Sequence, residues 1–130
     1  MIGIDTNVLV RLLTADEADQ HAKVLKFFEK RSVDDPAFVS AVTLAETVWV
    51  LRLSYQFTYA EILDAVAALL ETDDFVIEGR EALIAAREAG KPAMIGDFLV
   101  AHLGERSGCL RTVTFDRRAA SGVPAMELLS

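Results

Sequence analysis

Short apolar runs that suit strands alternate along this chain with longer runs that suit helices, and nothing else in the sequence restricts the fold as strongly. Met1–Asp5 (MIGID), Ala37–Ala41 (AFVSA), Asp73–Glu78 (DDFVIE) and Leu110–Phe115 (LRTVTF) read as strands, with Pro124–Leu129 as a short last one. The first of these is expected to be a buried core strand. Helical patterns cover Thr6–Thr14, Asp16–Arg31, Val42–Leu53, Tyr59–Glu71, Arg80–Ala89 and Asp97–Arg106. In the second helix the expected inward stripe is Ala18, Ala22, Leu25 and Phe28, spaced three or four apart. Thr58 followed by Glu61 is a capping box for the fourth helix, and Gly90 can end the fifth. Strands separated by helices predict an α/β chain with a parallel or mostly parallel sheet of four to five strands and helices on both faces.

A length of 130 residues suits one domain, 1–130. At 52% hydrophobic residues the chain can fill a core, which excludes a disordered polyampholyte. One cysteine, Cys109, permits no intrachain disulfide and argues against a thiolate zinc site. It fits a reducing, cytoplasmic setting. The N-terminal stretch lacks the basic region of a signal peptide. Asp5, Glu46 and Asp97 break the longest apolar runs, so no membrane span is expected.

Those three acids are the informative ones. Each is the only charge in an apolar stretch: MIGIDTNVLV, VSAVTLAETVWVL and AMIGDFLVAHL. A fourth, Asp116, closes the strand LRTVTF. A buried lone carboxylate is costly unless paired, protonated or bound to metal. Asp5 and Asp116 fall at carboxyl ends of expected strands, Glu46 lies early in a helix that follows one, and Asp97 opens another helix. Ligand sites in open α/β sheets form beyond the carboxyl ends of strands, so all four acids are expected at one edge. Together they would repel one another, and a hard divalent cation relieves that repulsion. Oxygen donors without thiolates favour Mg²⁺ or Mn²⁺ over Zn²⁺, and such ions serve phosphodiester hydrolysis. The alternative is that the acids cap helices or pair with arginines. The net charge of −7 counts against a polyanion ligand. That objection weakens if the acids hold a cation, and the same charge suits a basic protein partner.

The segment Ile4-Asp5-Thr6-Asn7-Val8-Leu9, then Glu46, Asp97 and Thr114-Phe115-Asp116, resembles the PIN-domain family, and more narrowly the VapC-type toxins of bacterial toxin–antitoxin pairs. The resemblance covers nearly the whole chain. It implies a three-layer α/β sandwich and a metal-dependent endoribonuclease. By family role Asp5, Glu46 and Asp97 would be metal ligands and Asp116 a fourth acid, acting directly or through water. Thr6, Asn7 and Thr114 would be supporting polar residues. It also implies an RNA substrate, a cognate VapB-like antitoxin, and a homodimer or toxin–antitoxin hetero-oligomer. Phe98 stands where many relatives have a small residue after the third acid.

Arg11, four residues after Asn7, could contact substrate phosphate or neutralise an acid. Arg117 and Arg118 could grip RNA backbone or belong to a solvated turn, and the same two readings apply to Lys91. His21 is expected on the exposed face of its helix and His102 in a structural role, so histidine acid–base chemistry is not expected. Trp49, Leu53, Tyr55 and Phe57 read as core, or more sharply as a dimer or antitoxin surface. A different class of function is a catalytically silent PIN-like module that binds a protein. Aspartyl-phosphate chemistry on Asp5 would want a second acid two residues on, where Asn7 stands.

Overall fold

Parallel strands cannot be joined by tight turns and need helical crossovers, and the chain is built on this rule. The computed structural model describes residues 1–130. It falls into two compact units, Met1–Glu78 and Gly79–Ser130.

In the first unit β1 (Ile2–Gly3), β2 (Ala37–Val39) and β3 (Phe75–Ile77) form a parallel sheet in the order β1-β2-β3. The register pairs Ile2 with Ala37 and Ala37 with Phe75. Helices α1 (Thr6–Leu13) and α2 (Ala18–Glu29) cross from β1 to β2; α3 (Ala41–Leu53) and α4 (Tyr59–Glu71) cross from β2 to β3. Ala37 and Val39 of the middle strand are fully buried, with Leu9 of α1, Leu44 and Leu51 of α3 and Ile62 of α4. Ser40 Oγ accepts from the Thr43 amide at the start of α3, and Thr58 and Glu61 form the expected capping box on α4.

Three expectations for this unit are corrected. β1 is an edge strand whose two residues are both exposed, not a buried core strand. The buried residue of α2 is Val24, flanked by half-buried His21, Phe27 and Phe28, while Leu25 is 45% exposed and Ala18 and Ala22 are exposed. Val24 and Leu25 are adjacent and both apolar, so the periodic pattern admits two neighbouring registers, and the less apparent one is used. His21 is accordingly not free on the surface: its Nδ1 lies 2.7 Å from the Arg11 carbonyl oxygen.

The second unit opens at Gly79, whose φ of +82° is left-handed. Helix α5 (Arg80–Glu88) packs on α6 (Ile95–Arg106), and the link between them includes a 3₁₀ turn, Pro92–Met94. β4 (Thr112–Thr114) pairs in parallel with β5 (Met126–Leu128), and α7 (Arg117–Gly122) crosses between them. Leu83, Ala86, Ile95, Leu99 and Ala119 are among its buried apolar residues. All five strands are therefore in parallel pairings, as expected, but as a three-stranded and a two-stranded sheet. The sequence reading left α7 out, because the six residues RRAASG carry no apolar period. No helix is long and apolar enough to cross a membrane.

Two positions test this packing. A Cβ at Gly79 would lie 2.6 Å from Leu99 Cδ2, in a backbone conformation that side chains rarely adopt. Gly79→Ala should cost roughly 1–3 kcal/mol in denaturant unfolding. Thr47 on α3 is 3% exposed and its hydroxyl has no hydrogen-bond partner. Thr47→Val should stabilise the protein by about 1 kcal/mol, since it removes a buried hydroxyl that nothing compensates.

Candidate active site

In the first unit Asp5 lies two residues past β1 and caps α1. Its Oδ1 accepts from the Asn7 and Val8 amides at 3.1 and 3.3 Å. Both bonds use the same oxygen, which leaves Oδ2 open. The neighbouring Thr6 hydroxyl donates to Glu46 Oε1 at 3.4 Å, tying the start of α1 to the second acid on α3. Glu46 is exposed, as is Asp5, so neither is a buried lone charge as expected from the sequence. The apolar stretch around Glu46 is continuous because α3 turns Val42, Trp49 and Leu53 outward beside it, each more than 60% exposed.

The second unit repeats the strand-end device. Asp116 follows β4 and caps α7, its Oδ1 accepting from the Arg118 and Ala119 amides at 2.8 and 3.1 Å. Again Oδ2 takes no part. Thr114 Oγ1 accepts from the Asp116 amide at 3.0 Å and fixes the turn that presents the acid. Asp97 sits in the first turn of α6, half-buried. Its carboxyl is pushed above the usual carboxylate range, first by burial and then by the nearby negative charge of Asp116.

The structure thus brings Asp97 near Asp116, and Glu46 to the residue after Asp5. It does not gather three or more His, Cys, Asp or Glu side chains into a metal-binding group. The helix-cap alternative holds for Asp5 and Asp116, yet a cap that uses one carboxylate oxygen leaves the other able to bind a cation. The donor set is all oxygen, which suits a hard divalent ion, and such an ion would also offset the burial and the Asp116 charge that disfavour the ionised form of Asp97.

The supporting residues act more locally than expected. Asn7 contributes its amide to Asp5, and its exposed side chain makes no hydrogen bond. Arg11 is engaged within the first unit: its Nε donates to Gln20 Oε1 at 2.7 Å, its Nη1 donates to the Tyr55 hydroxyl at 2.8 Å, and Asp16 lies 3.6 Å away. The Tyr55 hydroxyl in turn donates to Asp16, the largest cause of that carboxyl being held below the usual range. This cluster, which the sequence did not disclose, turns Arg11 and Tyr55 into structural residues. Trp49 and Leu53 are exposed and not core. His102 is half-buried with Nε2 3.6 Å from Glu81, consistent with a structural role. Arg117 and Arg118 are exposed and form no ion pair.

Each unit thus places one acid just past a strand, where it caps the next helix, and a second acid on another helix. Residues 2–122 match the family model described as PIN domain, and the chain belongs to the PIN-domain family. Members of that family are typically metal-dependent nucleases. No curated protein and no solved structure matches the chain significantly.

Because the folded state holds a proton on Asp97 more tightly than the unfolded chain does, keeping it ionised at neutral pH costs stability. Asp97→Asn should raise the Tm in chelator at pH 7. The gain should shrink as pH falls through the raised pKa and vanish below the ordinary carboxylate range. A Tm that is unchanged or lower at pH 7 would show that Asp97 carries no such cost.

Proposed function

We propose that this chain is a Mg²⁺- or Mn²⁺-dependent endoribonuclease, the VapC-type toxin of a toxin–antitoxin pair, acting in the cytoplasm. In this reading the two units make one PIN domain and Asp5, Glu46, Asp97 and Asp116 serve one active site. The observation that carries it is the family match over residues 2–122, which spans two strand-end aspartates that each cap a helix with one carboxylate oxygen and leave the other open.

Asp5, Glu46 and Asp97 would hold the metal, with Asp116 completing the set directly or through water. A bound divalent ion would supply Lewis-acid stabilisation of phosphate charge and a more acidic water. The reaction is hydrolysis: water adds to phosphorus, one P–O ester bond breaks, and the products are a phosphate monoester and a free sugar hydroxyl. The chain's own residues position the acids. The Thr6 hydroxyl holds Glu46, the Asn7 and Val8 amides hold Asp5, and Thr114 holds the turn at Asp116.

The partner part of the reading rests on α3. Val42, Glu46, Trp49 and Leu53 are spaced four, three and four residues apart, so one helix face carries three exposed apolar side chains around a site acid. An antitoxin with apolar and basic residues, or a second copy of the chain, would suit that face. A catalytically silent protein-binding module is the second reading, favoured by the lack of any grouping of three acids.

Incubation of the purified protein with a mixed RNA pool separates the two. Cleavage with Mg²⁺ or Mn²⁺ and none with chelator is expected. Thr6→Val should lower the rate by about 10- to 100-fold, the range for a residue that orients a metal ligand, and Asp97→Asn should lower it further. Metal-independent cleavage, or full activity of Asp97→Asn, would overturn the nuclease reading. RNA left intact under all conditions would leave the binding module.

A further inference from the structure

The formal charge is divided unevenly between the units. Residues 1–78 hold six basic and fourteen acidic residues, a net −8, whereas residues 79–130 hold seven basic and six acidic, a net +1. A polyanion approaching this chain is repelled by the first unit and tolerated by the second. Within the second unit three cations meet at one place. A pocket of about 430 Å³ is lined by Lys91, Met94, Arg117, Arg118, Ser121 and Gly122.

None of the three cations is in an ion pair. Lys91 is nevertheless held in place, its Nζ donating to the Gly122 carbonyl oxygen at 3.2 Å. Gly122 makes that approach possible, since a Cβ there would lie 2.9 Å from Lys91 Nζ and 2.8 Å from Met94 Sδ. Three like charges around one cavity, one of them fixed by the backbone, are unfavourable until an anion enters. Guanidinium groups favour phosphate oxygens, which they can bind through two parallel hydrogen bonds.

We infer that this pocket is a backbone-phosphate subsite for RNA, in which Lys91, Arg117 and Arg118 hold a phosphate of the strand beside Asp116. The inference rests on the nuclease reading for its choice of RNA over other anions. It explains how a chain with a net charge of −7 engages a polyanion: the strand is held on the one unit that is not acidic. Phosphate contacts fix position and carry no base specificity, so the pocket sets where the strand lies and leaves sequence choice to other residues.

The test is binding of a labelled single-stranded RNA to the full chain in chelator, followed by fluorescence anisotropy over a range of KCl concentrations. Each phosphate contact contributes about 0.7 to the slope of log affinity against log salt for single strands. The combined Lys91→Gln, Arg117→Gln, Arg118→Gln variant should therefore flatten the slope by about 2. The Arg117→Gln, Arg118→Gln double variant, at two exposed positions, should flatten it by about 1.4 and covers the case in which replacing Lys91 perturbs folding. A charge-matched control, Lys23→Gln, Lys26→Gln, Lys30→Gln in the first unit, should keep the wild-type slope.

Equal flattening by pocket and control variants, or none by the pocket variants, would overturn the subsite. Displacement of the RNA by polyglutamate as readily as by unlabelled RNA would show a site for acidic protein instead. Because binding is read without metal, the two proposals fail separately. Binding with the expected slopes but no cleavage sinks only the nuclease reading, and cleavage with unchanged slopes sinks only the subsite.

Discussion

An aspartate that lies just past a strand and caps the next helix is the interaction on which both units depend. The first amides of a helix lack intrahelical partners, and a carboxylate at the cap supplies one while its charge suits the positive end of the helix dipole. Asp5 and Asp116 do this with a single oxygen each. The same geometry that starts α1 and α7 therefore leaves a second oxygen facing away from the capped amides. Structural and chemical roles do not compete at these positions. Asparagine is as good a cap as aspartate, so replacing either by asparagine separates charge from fold, whereas alanine removes both.

Asp97 is different in kind. It caps nothing, makes no hydrogen bond within the chain, and its carboxyl is pushed above the usual carboxylate range by its surroundings. Burial is the larger cause and Asp116 the smaller, so removing Asp116's charge would ease the strain on Asp97 without ending it. A half-buried carboxylate next to another negative charge lowers stability and adds nothing to the local fold. Perturbed titration concentrates at functional sites, and a carboxylate that costs stability without serving the local fold is the pattern expected of a residue kept for chemistry, which is the role proposed for Asp97.

How far the sequence discloses this depends on the residues concerned. Alternating strand and helix patterns locate every strand and six of the seven helices because each carries an apolar period or a clear stop. Helix α7 escapes because RRAASG has neither, and the Asp116 cap that starts it reads equally well as a turn. The acids stand out by their apolar neighbours, but the inference that they are buried fails for Asp5 and Glu46. A helix that is apolar nearly all round, as α3 is, is ordinarily buried and carries no period to say which residues point inward. The outward face of α3 carries Val42, Trp49 and Leu53, so the apolar context of Glu46 reflects an exposed apolar surface and not a core. The Arg11–Tyr55–Asp16 cluster joins residues up to 44 positions apart and leaves no local signal.

Net charge misleads when summed over a chain whose units differ so much. A value of −7 is an argument against nucleic acid only if the charge is spread evenly, and here fourteen of the twenty acids lie in residues 1–78. Screening confines the influence of an exposed charge to about 8 Å at physiological ionic strength, so a strand lying along Lys91, Arg117 and Arg118 responds chiefly to them and to the acids beside them. Asp116 is the nearest of those acids in sequence, one residue before Arg117. A phosphate drawn in by the two arginines is at once close to a carboxylate that repels it. That repulsion weakens the hold on the phosphate without abolishing it, because Lys91, Arg117 and Arg118 outnumber the one adjacent acid, and a cation at the proposed site would add to the grip that the three side chains already have.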